Sequence, residues 1–409
     1  MRDRLAVLVM TIDGERAPNA DPYVTDAERR AAGVETEREV ERRLRPGNRR
    51  LARTRYERRD EPLPADVPLW RVWRPRDPAE LRDRLGDERS VQWTDGDVLE
   101  LLWRGNADDV ACIGAIQLPF WRVARSDLWE LSVRIARLDE AVISVVPLPR
   151  RRDQPRFGGL LEEQPLHLRG ARAPQVPRTA EIAPIETCEL DGDGIGPPRT
   201  VSVWRPPRSS GALPVVYCAD GAAGLLAPTI AAAVEDGRLP PVLLVGIESA
   251  HVERSIDRRA QEYLPGVSRR RFAAHERFVL DVVLPYAERE HGASDDPARR
   301  FTYGFSNGAR WALAVAQRHP SRFAGAAALS VAGGDPSRVR HHPGQRYALC
   351  AGTLEHGFRR TTASWARALG RDPALQVAHV ERVAGHDPSL WTEQAPWALA
   401  HLLAGLNPG

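Results

Sequence analysis

Gly304-Phe305-Ser306-Asn307-Gly308 sets a serine between two glycines in a G-x-S-x-G pattern. RFTYG (300–304) before it reads as a buried strand, and SNGARWALAVAQRH (306–319) as an amphipathic helix. That context predicts a nucleophile elbow, a turn too tight for side chains at the flanking positions. Such a turn lifts the Ser306 hydroxyl above a sheet, beside a helix N-terminus. There the helix dipole and the Asn307 amide face negative charge developing on a substrate carbonyl. A serine hydroxyl is too weakly acidic to act alone at neutral pH, so it needs a base. Of the eleven histidines, His386 follows a predicted strand (375–383) and Gly385 and precedes the last helix. This is where the base falls in the chain order serine, acid, histidine. The acid should follow a strand between the two. Glu355 in AGTLEHG is the first candidate. Asp335 in AGGDP, Asp387 beside the histidine, and a Ser–His dyad without an acid remain open. The loop Asp220-Gly221-Ala222-Ala223 follows another predicted strand, which makes the amides of Gly221 and Ala222 candidates for the second oxyanion donor.

The elements that position these groups alternate from about Thr200. Strands are expected at 201–204, 214–220, 241–247, 300–304, 324–331, 346–351 and 375–383. Helices are expected at 224–236, 271–291, 306–319, 358–369 and 389–404. Such alternation predicts an α/β fold: a mostly parallel sheet with helices on both faces, binding ligands beyond the C-terminal ends of its strands. Upstream, VLELLWRG, VACIGAI, LWELSVRI and AVISVVPL are short β-rich runs separated by Asn, Asp, Gly and Pro. They predict a small β-sandwich. The expected organisation is a charged, partly helical region over 1–90, a β-domain over 91–150, a Pro/Arg-rich linker over 151–190 and a catalytic domain over 191–409. Residues 26–45 are helix-compatible. The run 41–59 holds nine arginines against two acids and reads as a solvated face.

Composition narrows the function classes. The chain has 409 residues, of which 42% are hydrophobic, enough for two or three cored domains. No apolar run approaches the roughly 18 residues of a membrane span. The run Leu5–Met10 is too short for a secretory core, so a cytoplasmic setting is expected. All 58 basic residues are arginine. That is a bias of the whole chain, so a net charge of +3 does not argue for a nucleic-acid partner. The four cysteines form no C-x-x-C pair, which disfavours a disulfide framework or a zinc site.

With these residues in place, the chain resembles the enterochelin (enterobactin) esterase family of the α/β-hydrolase superfamily. The likeness lies in CADGAAG, the Arg259-x-x-Glu262-Tyr263 box in RRAQEYLP, VLPYAERE, YGFSNGARWALAVAQRHPSRFAG, AGTLEHGF and AGHDPSLW, and in the N-terminal VLELLWRG, VACIG and RSDLWELSV. It covers roughly residues 91 to 404. The resemblance implies an α/β-hydrolase domain preceded by an immunoglobulin-like domain. It implies hydrolysis of a small-molecule ester by Ser306, His386 and Glu355; in the best-known members the substrate is an anionic ferric siderophore. Arg259 falls on the family's box arginine, which implies that it binds substrate or braces its loop. No cofactor is implied, and iron would arrive only with the substrate.

Overall fold

The structure is a computed structural model. It describes residues 69–72, 77–116, 118–123, 126–150, 164–192, 194–207, 209–250, 258–336 and 342–406. The helix expected over 26–45 and the arginine run at 41–59 lie outside the described residues. The chain forms two compact units. One holds the residues up to Pro174 together with Gly352–Gly357 and Arg382–Ser389; the other holds the rest.

The first unit is built from β1 (Leu69–Val72), α1 (Pro78–Leu85), β2 (Ser90–Asp95), β3 (Val98–Arg104), β4 (Asp109–Gly114), β5 (Trp121–Arg122), β6 (Leu128–Ile135), β7 (Val142–Arg150) and β8 (Leu166–Arg169). β1, β6, β3 and β2 lie side by side, with β5 also on β6; β4, β7 and β8 make a second sheet. All these pairs are antiparallel. Strand geometry sends alternate side chains to opposite faces. Leu99, Leu101 and Trp103 of β3 therefore enter one core, while Leu102 meets Leu81 and Leu85 of α1 on the other face. A strand covered on both faces explains why VLELLW is apolar at every position but Glu100. The unit is larger than the expected 91–150, because α1 and β1 precede that range and β8 lies in the expected linker. α1 carries legible punctuation: the Asp77 carboxylate accepts the Ala79 amide at 2.9 Å, Pro78 opens the helix, and Gly86 closes it at φ 56°.

The second unit follows the expected alternation: β9 (Glu186–Leu190), β10 (Arg199–Trp204), β11 (Val215–Ala219), α2 (Ala223–Glu235), β12 (Leu243–Ile247), α3 (Arg258–Tyr263), α4 (Arg269–Phe278), α5 (Leu284–His291), β13 (Arg300–Phe305), α6 (Asn307–Arg318), β14 (Gly325–Leu329), β15 (Arg346–Gly352), α7 (His356–Leu369), β16 (Gln376–Arg382) and α8 (Pro388–Leu402). The sheet runs β16-β15-β14-β13-β11-β12-β10-β9. The pairs from β12 to β15 are parallel, while β10 lies antiparallel between β12 and β9. This is an α/β-hydrolase-like mixed sheet. The helix expected over 271–291 is interrupted by a π-helical turn at Val279–Val283. Pro285 follows after Leu284; it lacks an amide proton and crowds the carbonyl of Asp281 four residues back, which favours a widened turn there. After β11 the chain crosses to β12 on one side, and after β12 it returns to β13 on the other. The β11/β13 junction is thus a topological switch point, where the C-terminal ends of strands leave a crevice for ligands. No described helix is long and apolar enough to cross a membrane.

Two loops of the first unit are fixed to its sheets. Leu354 and Val383 enter the same core as Leu101 and Ile143. The Leu354 amide donates to Ala384 O at 3.0 Å, and the Val142 amide to Val383 O at 2.8 Å. At Gly385 the backbone passes so close to Ala115 that a Cβ would lie 1.9 Å from its carbonyl oxygen. Both partners there are backbone, so Gly385→Ala should cost about 1–3 kcal/mol and lower the melting temperature by several degrees. Thermal unfolding followed by circular dichroism measures this.

Candidate active site

Ser306 ends β13 at φ 57° and ψ −126°, a left-handed conformation costly for a residue with a side chain. Hydrogen bonds hold it there. Its amide donates to Leu329 O on β14 at 3.0 Å, and its carbonyl accepts from Ala309 at 3.1 Å and Ala332 at 3.3 Å. The flanking glycines are a matter of space. A Cβ on Gly304 would lie 2.2 Å from Gly308 O, and one on Gly308 would lie 2.8 Å from Ala219 Cβ. The sequence therefore specifies the elbow through its glycines. Asn307 opens α6, so its amide has no intrahelical partner, and it donates to nothing among the described residues.

Glu355 and His386 are brought together in the first unit. Nδ1 of His386 and Oε1 of Glu355 lie 2.6 Å apart, and both residues are buried, 2% and 0% exposed. The second carboxylate oxygen accepts the Gly352 amide at 2.7 Å, which fixes the carboxylate plane. The two loops are also hydrogen-bonded to each other, with the Thr353 amide 2.7 Å from Arg382 O. This pair orients an imidazole with Nδ1 on the acid, so that proton exchange falls to Nε2. Asp335 is exposed in the loop after β14. Asp387 accepts the Ser389 amide at 2.9 Å and caps the start of α8. Glu355 is thus the carboxylate at His386.

The loop after β11 differs from expectation. The Gly221 amide donates to Ile247 O at 3.0 Å and the Ala222 amide to Ala219 O at 3.1 Å. Both expected oxyanion donors are committed to the turn itself. The next amide, that of Ala223, begins α2 and donates to nothing among the described residues. Sequence could not show which amides the turn consumes, because one acceptor lies on β12.

Arg259 is a brace. Its Nε and Nη2 lie 2.6 and 2.7 Å from the two carboxylate oxygens of Asp220, and it is 2% exposed. Residues at i, i+3 and i+4 share one helix face, and α3 uses all three. Arg259 takes Asp220. Glu262 pairs with Arg199 at 2.6 Å and accepts the Ala250 amide at 2.8 Å. Tyr263 accepts the Asp220 amide at 2.9 Å through its hydroxyl. Burial holds the Tyr263 phenol well above its ordinary pKa, so it stays neutral. Asp220, itself at φ 59°, is locked from both ends. Its Oδ2 lies where a Cβ on Gly308 would come within 3.1 Å, so the braced loop and the elbow form one site at the switch point. Among the described residues no cluster of His, Cys, Asp or Glu could hold a metal ion.

Residues 193–408 match the model of the Esterase family. The enterobactin esterase from Shigella flexneri, crystallised in the presence of 2,3-dihydroxy-N-benzoyl-glycine, is 18% identical with a TM-score of 0.60, covering 79% of this chain and 98% of its own. The ferric enterobactin esterase from Salmonella typhimurium is 16% identical with a TM-score of 0.60, covering 80% of this chain and 99% of its own. At these identities the likeness carries the fold alone. No curated protein sequence matches the chain.

Removing Arg259 separates the two roles expected of it. Arg259→Leu leaves a buried carboxylate without its cation, which should cost about 3–5 kcal/mol. A substrate-binding arginine would instead raise KM at constant stability. Chemical denaturation and steady-state kinetics on the same preparation distinguish the two, and we expect the loss of stability.

Proposed function

The chain belongs to the Esterase family and is a carboxylic ester hydrolase; we propose that it is a serine esterase working through Ser306, His386 and Glu355. The observation that carries the reading is the strained Ser306 elbow between two obligatory glycines at the switch point. In the proposed reaction Nε2 of His386 takes the hydroxyl proton as Ser306 Oγ attacks the ester carbonyl. The Glu355 carboxylate holds the imidazole tautomer and stabilises the imidazolium. The amides of Asn307 and Ala223, both at helix starts, receive the oxyanion. His386 then protonates the departing alcohol. Water, deprotonated by the same imidazole, cleaves the acyl-enzyme and regenerates Ser306.

We propose an enterobactin-like ferric catecholate ester as the substrate, opened inside the cell to loosen its iron. Support comes from the solved structures of similar fold, which are named as enterobactin esterases and cover four fifths of this chain. We also read the paired antiparallel sheets of the first unit as an immunoglobulin-like sandwich.

Parallel assays on p-nitrophenyl acetate, p-nitrophenyl butyrate and a ferric tri-catecholate ester test both levels. Ser306→Ala and His386→Ala should each lower kcat by roughly 10⁴-fold. Wild-type preference for the ferric ester supports the siderophore reading. Cleavage of the simple esters alone keeps the esterase and removes that substrate. Full activity in Ser306→Ala overturns the mechanism.

A further inference from the structure

Buried arginines in the second unit have acids. Arg199 meets Glu262, Arg259 meets Asp220 and Arg300 meets Glu288, each at 2.6 Å. Arg310 does not. It stands on α6 one turn after Ser306, and among the described residues no carboxylate lies within ion-pair distance of it. Its Nη1 is buried and donates to nothing. Burial pulls its pKa down to about 10, so it still carries its charge at neutral pH. A partly desolvated cation without an acid is costly, and its stacking over the Trp365 ring, 4.9 Å to the centroid, offsets only part of that cost.

The guanidinium is held in place by a built cradle. A Cβ on Gly334, at φ 93°, would lie 2.5 Å from Arg310 Nε and 3.1 Å from Trp365. Trp365 is itself fixed by its indole N–H, which donates to Gly333 O at 3.2 Å. Gly333 and Gly334 are exposed, so the cradle has an open side. Helical side chains lean toward the helix N-terminus, and residues four apart share a face; Arg310 therefore leans toward the turn that holds Ser306. The same 331–334 loop touches that turn, because the Ala332 amide donates to Ser306 O.

We propose that Arg310 is the anion-recognition residue of this esterase, receiving an anionic oxygen group, in the simplest case a carboxylate, carried by the substrate close to the scissile ester. This rests on Ser306 being the nucleophile. It names a property of the substrate that the elbow alone does not. A planar fork of fixed donors suits a carboxylate in bidentate fashion, whereas lysine supplies only a point charge.

Two matched pairs locate the charge. p-Nitrophenyl hemiglutarate against p-nitrophenyl butyrate places it on the acyl side; the butyryl ester of 3-hydroxypropanoate against ethyl butyrate places it on the alcohol side. In one pair the wild type should favour the anionic ester. Arg310→Gln should lower the anionic-to-neutral ratio of kcat/KM at least about tenfold, and Arg310→Lys should restore part of it. A structural role would change the melting temperature and leave the ratio in place. A ratio unchanged by Arg310→Gln in both pairs overturns the inference. If no ester is turned over, the esterase reading fails separately, and calorimetry with glutarate decides. Binding by the wild type that Arg310→Lys weakens keeps the anion site, and no binding removes it. The same calorimetry serves if Arg310→Gln does not fold.

Discussion

At Gly304 and at Gly308 there is no room for a side chain. A Cβ on either glycine would collide with Gly308 backbone or Ala219. This crowding lets β13 turn directly into α6, and it forces the intervening serine into the left-handed region. The strain, on the order of 1–3 kcal/mol, is held by hydrogen bonds from β14 and its loop. Helix start, undonated amide and serine then come together in one turn. The switch point between β11 and β13 determines where that object stands. Fold topology and local sterics thus converge on a single position in the chain.

Each unit holds a short ion contact, and the two differ in kind. The Asp220–Arg259 pair is structural. It fixes the loop after β11, with Tyr263 closing the other side, and leaves Ala223 at the head of α2. The Glu355–His386 contact fixes the orientation of the imidazole, and its loops are anchored by Leu354 and Val383 in the β-rich core. Arg310 belongs to neither kind. It lies against Gly334 and Trp365 and meets no acid among the described residues.

Much of this was legible in the sequence, for physical reasons. Buried parallel strands such as LLVGI and GAAAL leave short apolar runs, and their ends agree with the structure to within a few residues. The elbow was legible because only glycine fits its flanks. Glu355 was legible as an acid in a loop after a strand. What was hidden depends on distant partners. Gly221 and Ala222 look like donors until their acceptors, Ile247 O and Ala219 O, are in place. Arg259 reads equally as ligand or brace until Asp220 is seen beneath it. Arg310 stood in plain view as a charge in an apolar helix start, but its missing partner is a fact of three dimensions. The early reach of the β-rich unit was missed, although Asp77, Pro78 and Gly86 mark α1 clearly.

We propose that Ser306 is an activated nucleophile whose activation depends on His386. Reaction with a fluorophosphonate, followed by peptide mass mapping, tests it most directly, because only an activated hydroxyl is phosphonylated and no knowledge of the substrate is needed. The account predicts one adduct per chain, on Ser306, absent in Ser306→Ala and strongly slowed in His386→Ala. An unlabelled wild type, an adduct on another residue, or undiminished labelling in His386→Ala would contradict it.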